Sequence, residues 1–140
     1  MSNVEDIATT VIDKAFHIHK ELGPGLLESV YEVVLAKALE TAGFQVERQK
    51  SIPIEYAGFR FDEGFRADLL VDGKLLIELK SVEKLAPVHG KQLLTYLRLL
   101  DLPLGLLINF GAETFRQGIR RIVNNHQEDF AASRLRVRRR

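Results

Sequence analysis

The chain has 140 residues, with 20 lysines and arginines against 19 acids, a net charge of +1 and a hydrophobic content of 46%. That length and apolar content suit one domain with a buried core, and a charged fraction of 28% argues against wholesale disorder. The absence of cysteine excludes disulfides, thiolate metal sites and a cysteine nucleophile. No apolar run approaches the roughly 20 residues that a bilayer requires, and Met1–Asp6 lacks the basic start and apolar core of a signal peptide, so a soluble, cytoplasmic protein is expected.

Val4, Ile7, Ala8, Val11, Ala15 and Ile18 recur at three- and four-residue steps, which predicts a first amphipathic helix ended by Gly23-Pro24-Gly25. A second helix is expected from about Leu26 to Ala42, with Leu27, Val30, Tyr31, Val34, Leu35, Ala38 and Leu39 on its apolar side and Gly43 as its C-terminal cap. Phe44–Lys50 and Ser51–Tyr56 are strand-like, with Pro53 marking an edge or a bend. Phe65–Val71 and Lys74–Lys80 flank Asp72-Gly73, a hairpin signal. A third helix is expected from about Pro87 to Leu100, burying Leu93, Leu94, Leu97 and Leu100, with proline in the first turn. The apolar run from Leu104 to Phe110 predicts a strand covered on both faces, while Glu113–Asn125 fits either helix or strand. This order gives an α/β domain over residues 1–133 around a small mixed sheet.

Charge is uneven along the chain. Arg134–Arg140 holds five arginines and no acid, and the remaining 15 basic and 19 acidic residues leave the body at −4. Residues 134–140 are therefore expected to form a flexible basic tail, either contacting phosphate or simply solvated.

Glu78 and Lys80 lie two apart in a largely apolar strand and so point to one face, where they need either partners or a task. A salt bridge at the sheet's end is the simpler explanation. Hairpin register bears directly on the alternative. A two-residue turn would pair Asp68 with Ile77 and set Asp68 and Glu78 on opposite faces. One extra loop residue pairs Val71 with Leu75 and sets Asp68 opposite Glu78, with Cβ atoms about 5 Å apart. Two such carboxylates suit a hard cation, Mg²⁺ or Mn²⁺. Glu28 shares a helix face with Tyr31, although an acid in a first helical turn is also favoured by the helix dipole alone. His89, Gln92 and Tyr96 form a polar stripe on the third helix. His17 and His19 are two apart, differ in helical phase, and are not needed as ligands where carboxylates serve.

The order helix Glu28, strand Asp68, strand Glu78-Leu79-Lys80 and helix Gln92-x-x-x-Tyr96 resembles the PD-(D/E)xK nuclease superfamily. More narrowly, Gly25-x-x-Glu28-x-x-Tyr31 resembles the bacterial GxxExxY protein family, along with Phe65-Arg66-Ala67-Asp68, Leu94-Thr95-Tyr96-Leu97 and Leu107-Ile108-Asn109-Phe110-Gly111. The likeness runs from about Ile7 to Val123, and Ala67 departs from the proline of the superfamily's name. It implies a restriction-endonuclease-like core, αβββαβ with an extra N-terminal helix. It further implies a metal-dependent nuclease acting on DNA, exonuclease-like, in repair, recombination or defence. Asp68, Glu78 and the Leu79 carbonyl would hold Mg²⁺, with Mn²⁺ able to substitute. Lys80 would position and help deprotonate the attacking water, or stabilise charge on the phosphate. Glu28 would hold a second metal or a water on it, and Gln92 and Tyr96 would orient the site and contact the strand end or phosphate. A catalytically weak nucleic-acid- or protein-binding module and a dimeric junction-resolving endonuclease remain alternatives. So small a chain has little room for a substrate clamp of its own, which is compatible with a homo-oligomer or a partner protein.

Overall fold

The computed structural model describes residues 3–125 and the backbone of Leu135–Val137. Helix α1 spans Val4–Leu22. It starts where the Asn3 side chain accepts the Asp6 N–H at 2.9 Å, with Glu5 and Asp6 favourably placed in its first turn. Of its predicted stripe, Ile7, Ala8, Val11, Ala15 and Ile18 are buried and Val4 is half-buried against the same core, with His19 added.

Helix α2 spans Glu28–Thr41 and buries Tyr31, Glu32, Leu35, Ala36 and Leu39. This corrects the expected apolar side, because Leu27, Val30 and Val34 are exposed. The stripe is rotated by about one residue, bringing Glu32 inward. Gly43 ends the helix as predicted: it takes a left-handed φ of 101°, its N–H donates to Glu40, and the Phe44 N–H donates back to Leu39.

Strand β1 (Val46–Tyr56) is one element rather than two, and its register with the next strand slips between Ile52 and Ile54, at Pro53. Strand β2 (Phe59–Val71) begins six residues before the expected Phe65. Strand β3 (Leu75–Lys80), helix α3 (Pro87–Leu100) and strand β4 (Leu104–Asn109) fall where the sequence places them. The ambiguous stretch is both things in turn, a one-turn helix α4 (Phe115–Gly118) and strand β5 (Ile119–Val123). Leu135–Val137, from the arginine-rich tail, form strand β6. The rest of residues 134–140, and with it the expectation of a flexible tail, lies outside the described residues.

The sheet order is β5-β4-β3-β2-β1-β6. Only β3 and β4 run parallel, joined by α3 as crossover; the other pairings are antiparallel. Helices α1 and α2 cover one face in a core with Leu69, Val71, Leu75, Ile77, Leu106 and Ile108. Helix α3 covers the other through Leu93, Leu97 and Leu100 against Ile52, Phe65, Leu70, Leu76 and Leu107. Central β3 and β4, flanked by strands and sandwiched between helices, are therefore almost wholly buried, as their unbroken apolar sequences require. The run α2-β1-β2-β3-α3-β4 is the expected αβββαβ core, with α1 as the extra N-terminal helix.

Candidate active site

The β2–β3 loop carries the odd residue on which the carboxylate pair depends. Val71 pairs with Leu75, Leu70 with Leu76 and Leu69 with Ile77, so the loop is Asp72-Gly73-Lys74 and Asp68 comes opposite Glu78. Asp72 and Gly73 both take left-handed backbone, with φ of 52° and 65°. Asp72 is tied in place by its carboxylate, which accepts the Gln45 N–H at 2.8 Å. The register that joins the two acids is thus built by local turn chemistry.

At Asp68 the sheet ladder gives way to side chains. The Asp68 N–H donates to Glu78 Oε2 at 2.9 Å, and the Leu79 N–H donates to Asp68 Oδ2 at 2.8 Å. Alternation breaks at the same place: Phe65 and Ala67 belong to the α3-side core, whereas Leu69 and Val71 belong to the α1/α2-side core. The strand turns over at Asp68, opening the sheet's end.

The two carboxyls are electrostatically strained. Burial pushes the Glu78 carboxyl up to about 8, reinforced by Asp68 and, more weakly, by Glu28, while Lys80 pulls the other way. Burial also raises Asp68, against the pull of its bonds to Leu79 and Gln49, with Glu32 and Glu28 adding repulsion. Two neighbouring carboxyls whose ionised forms burial disfavours are short of positive charge, which is the condition a divalent cation relieves. Their hard oxygens suit Mg²⁺ or Mn²⁺. Among the described residues, no three His, Asp or Glu side chains already converge on one cation position.

Glu28 is the first residue of α2, and the turn before it explains the Gly25-x-x-Glu28-x-x-Tyr31 pattern. Gly25 has φ 107°, a conformation that side-chain-bearing residues rarely adopt. Tyr31 is fully buried and stacked on Phe110 at 4.4 Å, its hydroxyl donating to the Gly23 carbonyl at 2.5 Å and accepting the Leu26 N–H at 3.2 Å. Ser81, just beyond β3, donates to the Leu26 carbonyl at 2.6 Å. Tyr31 therefore anchors the turn, while Glu28 faces solvent in a cleft of about 690 Å³ walled by residues 24–29, Ser81–Glu83 and Gly111. Asn109, buried at the end of β4, holds the post-β3 loop by accepting the Val82 N–H and donating to its carbonyl. Gly111 is required there, because a Cβ would collide with the Val82 backbone.

From the other face, α3 brings Tyr96 over the pair. Its ring stacks on Phe65 at 4.1 Å and 7°. Burial first, then the Glu78 charge, raises its hydroxyl's pKa above the usual phenol value, against a bond to Gln92, with Asp68 adding a further push. The phenol is thereby held as a neutral donor. His89 takes a different role, its Nδ1 accepting the Ala86 N–H at 3.0 Å at the start of α3. His17 bonds the Asp13 carbonyl and His19 the Ala112 carbonyl, each at 2.8 Å.

Three residues at the site belong to no motif in the sequence. Buried Glu32 accepts from Arg48 Nε at 3.1 Å and from Gln49 Nε2 at 2.6 Å, and Gln49 Nε2 reaches Asp68 Oδ1 at 3.2 Å. The only local hint was an acid one turn beyond Glu28, beside the apolar stripe of α2.

An αβββαβ core with a half-buried Asp68 facing a buried Glu78 at the opened end of its sheet, and a lysine two residues on, defines a nuclease-type architecture. The family model of the PD-(D/E)XK nuclease superfamily matches residues 5–122, and the chain belongs to that superfamily. No curated protein and no solved structure matches it significantly. Membership carries with it a nuclease-type hydrolase, a nucleic-acid substrate and the general use of divalent metal ions. Among the described residues no helix is long and apolar enough to cross a membrane.

Proposed function

We propose that this protein is a Mg²⁺-dependent nuclease that hydrolyses DNA phosphodiester bonds, within the GxxExxY group of its superfamily. The observation that carries this reading is the facing pair Asp68 and Glu78, with Lys80 on the Glu78 face and Tyr96 above. Asp68, Glu78 and the Leu79 carbonyl are the ligands of the cation, for which Mn²⁺ substitutes. Glu28, near enough for its charge to raise both carboxyls, serves a second cation or its water. Once bound, the metal supplies Lewis acidity and a water acidic enough to attack near neutral pH.

The chain's own groups do the rest. Lys80 orients the attacking water and places positive charge beside the phosphate as negative charge builds there. Tyr96, kept protonated, donates to a phosphate oxygen, and Gln92 holds the Tyr96 hydroxyl in position. This Gln92–Tyr96 pair favours an exonuclease-like action over junction resolution. Repair, recombination or defence in a bacterial cytoplasm is the corresponding setting.

A panel of labelled linear, circular and single-stranded DNA and of RNA, with Mg²⁺, Mn²⁺ or EDTA, tests the reading. Metal-dependent loss of linear DNA from its ends, with circles spared, is expected. Cutting of circles would contradict the exonuclease assignment, and inertness on every substrate would leave a binding module.

A further inference from the structure

Gln49 stands out on β1 because it is a non-glycine residue in left-handed backbone, with φ 49°, in the middle of a strand. The pairs Arg48↔Leu69 and Lys50↔Ala67 place it opposite Asp68. Like β2 at Asp68, β1 turns over here: Val46 packs toward the α1/α2 side, whereas Ile52 and Ile54 pack toward α3. The unusual backbone delivers the Gln49 amide between two carboxylates. It donates to Glu32 Oε1 at 2.6 Å and to Asp68 Oδ1 at 3.2 Å.

An amide nitrogen has two hydrogens, one for each acceptor, which neither glutamate nor a hydroxyl can offer. Glu32 is only 5% exposed and its charge is answered by Arg48 at 3.1 Å. It can therefore sit beside the site without leaving an unpaired charge there. Asp68 is consequently gripped at both oxygens, Oδ2 by the Leu79 N–H and Oδ1 by Gln49, and each oxygen retains lone-pair capacity for a cation.

We propose that Gln49, anchored by Glu32, is a positioning residue that fixes the Asp68 carboxylate for a divalent cation. The inference rests on Asp68 being a metal ligand, as proposed above. Glu32 acts through Gln49 and touches neither cation nor substrate.

The test is calorimetric titration of Mn²⁺ into wild type, Gln49→Gly, Glu32→Ala, Glu32→Gln and the double variant Gln49→Gly/Glu32→Ala, each checked for folding by circular dichroism. Glycine suits the left-handed backbone, so Gln49→Gly removes the amide without straining the strand. Loss of a partner that orients a ligand weakens metal binding by about 10- to 100-fold, and that loss is expected for Gln49→Gly and for Glu32→Ala. Glu32→Gln retains an oxygen to accept the Gln49 amide and should stay within about threefold of wild type. Because the two residues act in series, the double variant should bind about as well as Gln49→Gly alone. Wild-type affinity in Gln49→Gly would overturn the proposal, as would additive losses in the double variant. If wild type itself takes up no Mn²⁺, the reading of Asp68 as a ligand fails and the role of Gln49 falls with it.

Discussion

Glu78 is where residue chemistry is most exposed to experiment. Its carboxyl is held near 8 in the folded chain, far above the ordinary glutamate value of 4.5, because it is buried beside Asp68. The folded state then binds a proton that the unfolded state has already lost between these values. Stability of the metal-free protein should fall as pH rises from about 4.5 to about 8 and level off beyond. Thermal melts in EDTA across this window should show that slope in wild type and a much flatter one in Glu78→Gln, which has no proton to lose. Equal slopes would place the coupling elsewhere. Cation binding must displace the same proton, so Mn²⁺ affinity should climb toward pH 8. Lys80 bears on turnover instead: Lys80→Ala should lower the cleavage rate by about 100-fold or more, the range seen when one donor to a developing anion is removed.

At the level of elements, the start of α2 and the β2–β3 loop position the site. Tyr31 spends its only polar atom on the Gly23–Leu26 turn. Tyr31→Phe keeps the stack on Phe110 but leaves that turn's carbonyl and N–H without their partner. A loss of about 1–2 kcal/mol in chemical denaturation is expected, together with reduced cleavage as Glu28 loses its fixed approach. Unchanged stability would show that the hydroxyl does not hold the turn.

Strand parity narrowed the carboxylate register to two options without choosing between them, and the structure takes the three-residue loop that sets Asp68 opposite Glu78. Helix α3 was legible to the residue, since Pro87 and the leucine spacing mark both ends. The buried side of α2 was not. Val30 and Val34 look like core but are exposed, and Glu32 is buried because Arg48 and Gln49 reach it from β1. That pairing joins positions 16 and 17 residues apart through side chains, which helical periodicity does not encode. Gln49 was hidden for a second reason, as nothing in Arg48-Gln49-Lys50 announces a left-handed residue inside a strand.

Across the whole molecule, two cores on opposite faces of one sheet hold the site at the end where β2 and β3 part. The metal-free protein confines repelling acids there, so a cation should stabilise the entire fold. With Mn²⁺ at about 100 times its Kd, the gain is about 2.7 kcal/mol, or roughly 10 °C in melting temperature for a chain of this size. Asp68→Ala should remove most of that gain while remaining folded. An equal Mn²⁺-induced shift in Asp68→Ala would place the ion at another site.

The most direct measurement is the cleavage of end-labelled linear DNA by wild type, Asp68→Ala and Lys80→Ala, with Mg²⁺ and with EDTA. Wild type should cleave only with metal, and neither variant should cleave appreciably. Cleavage that persists in EDTA, or survives loss of Asp68, would contradict a catalytic cation held by the Asp68–Glu78 pair.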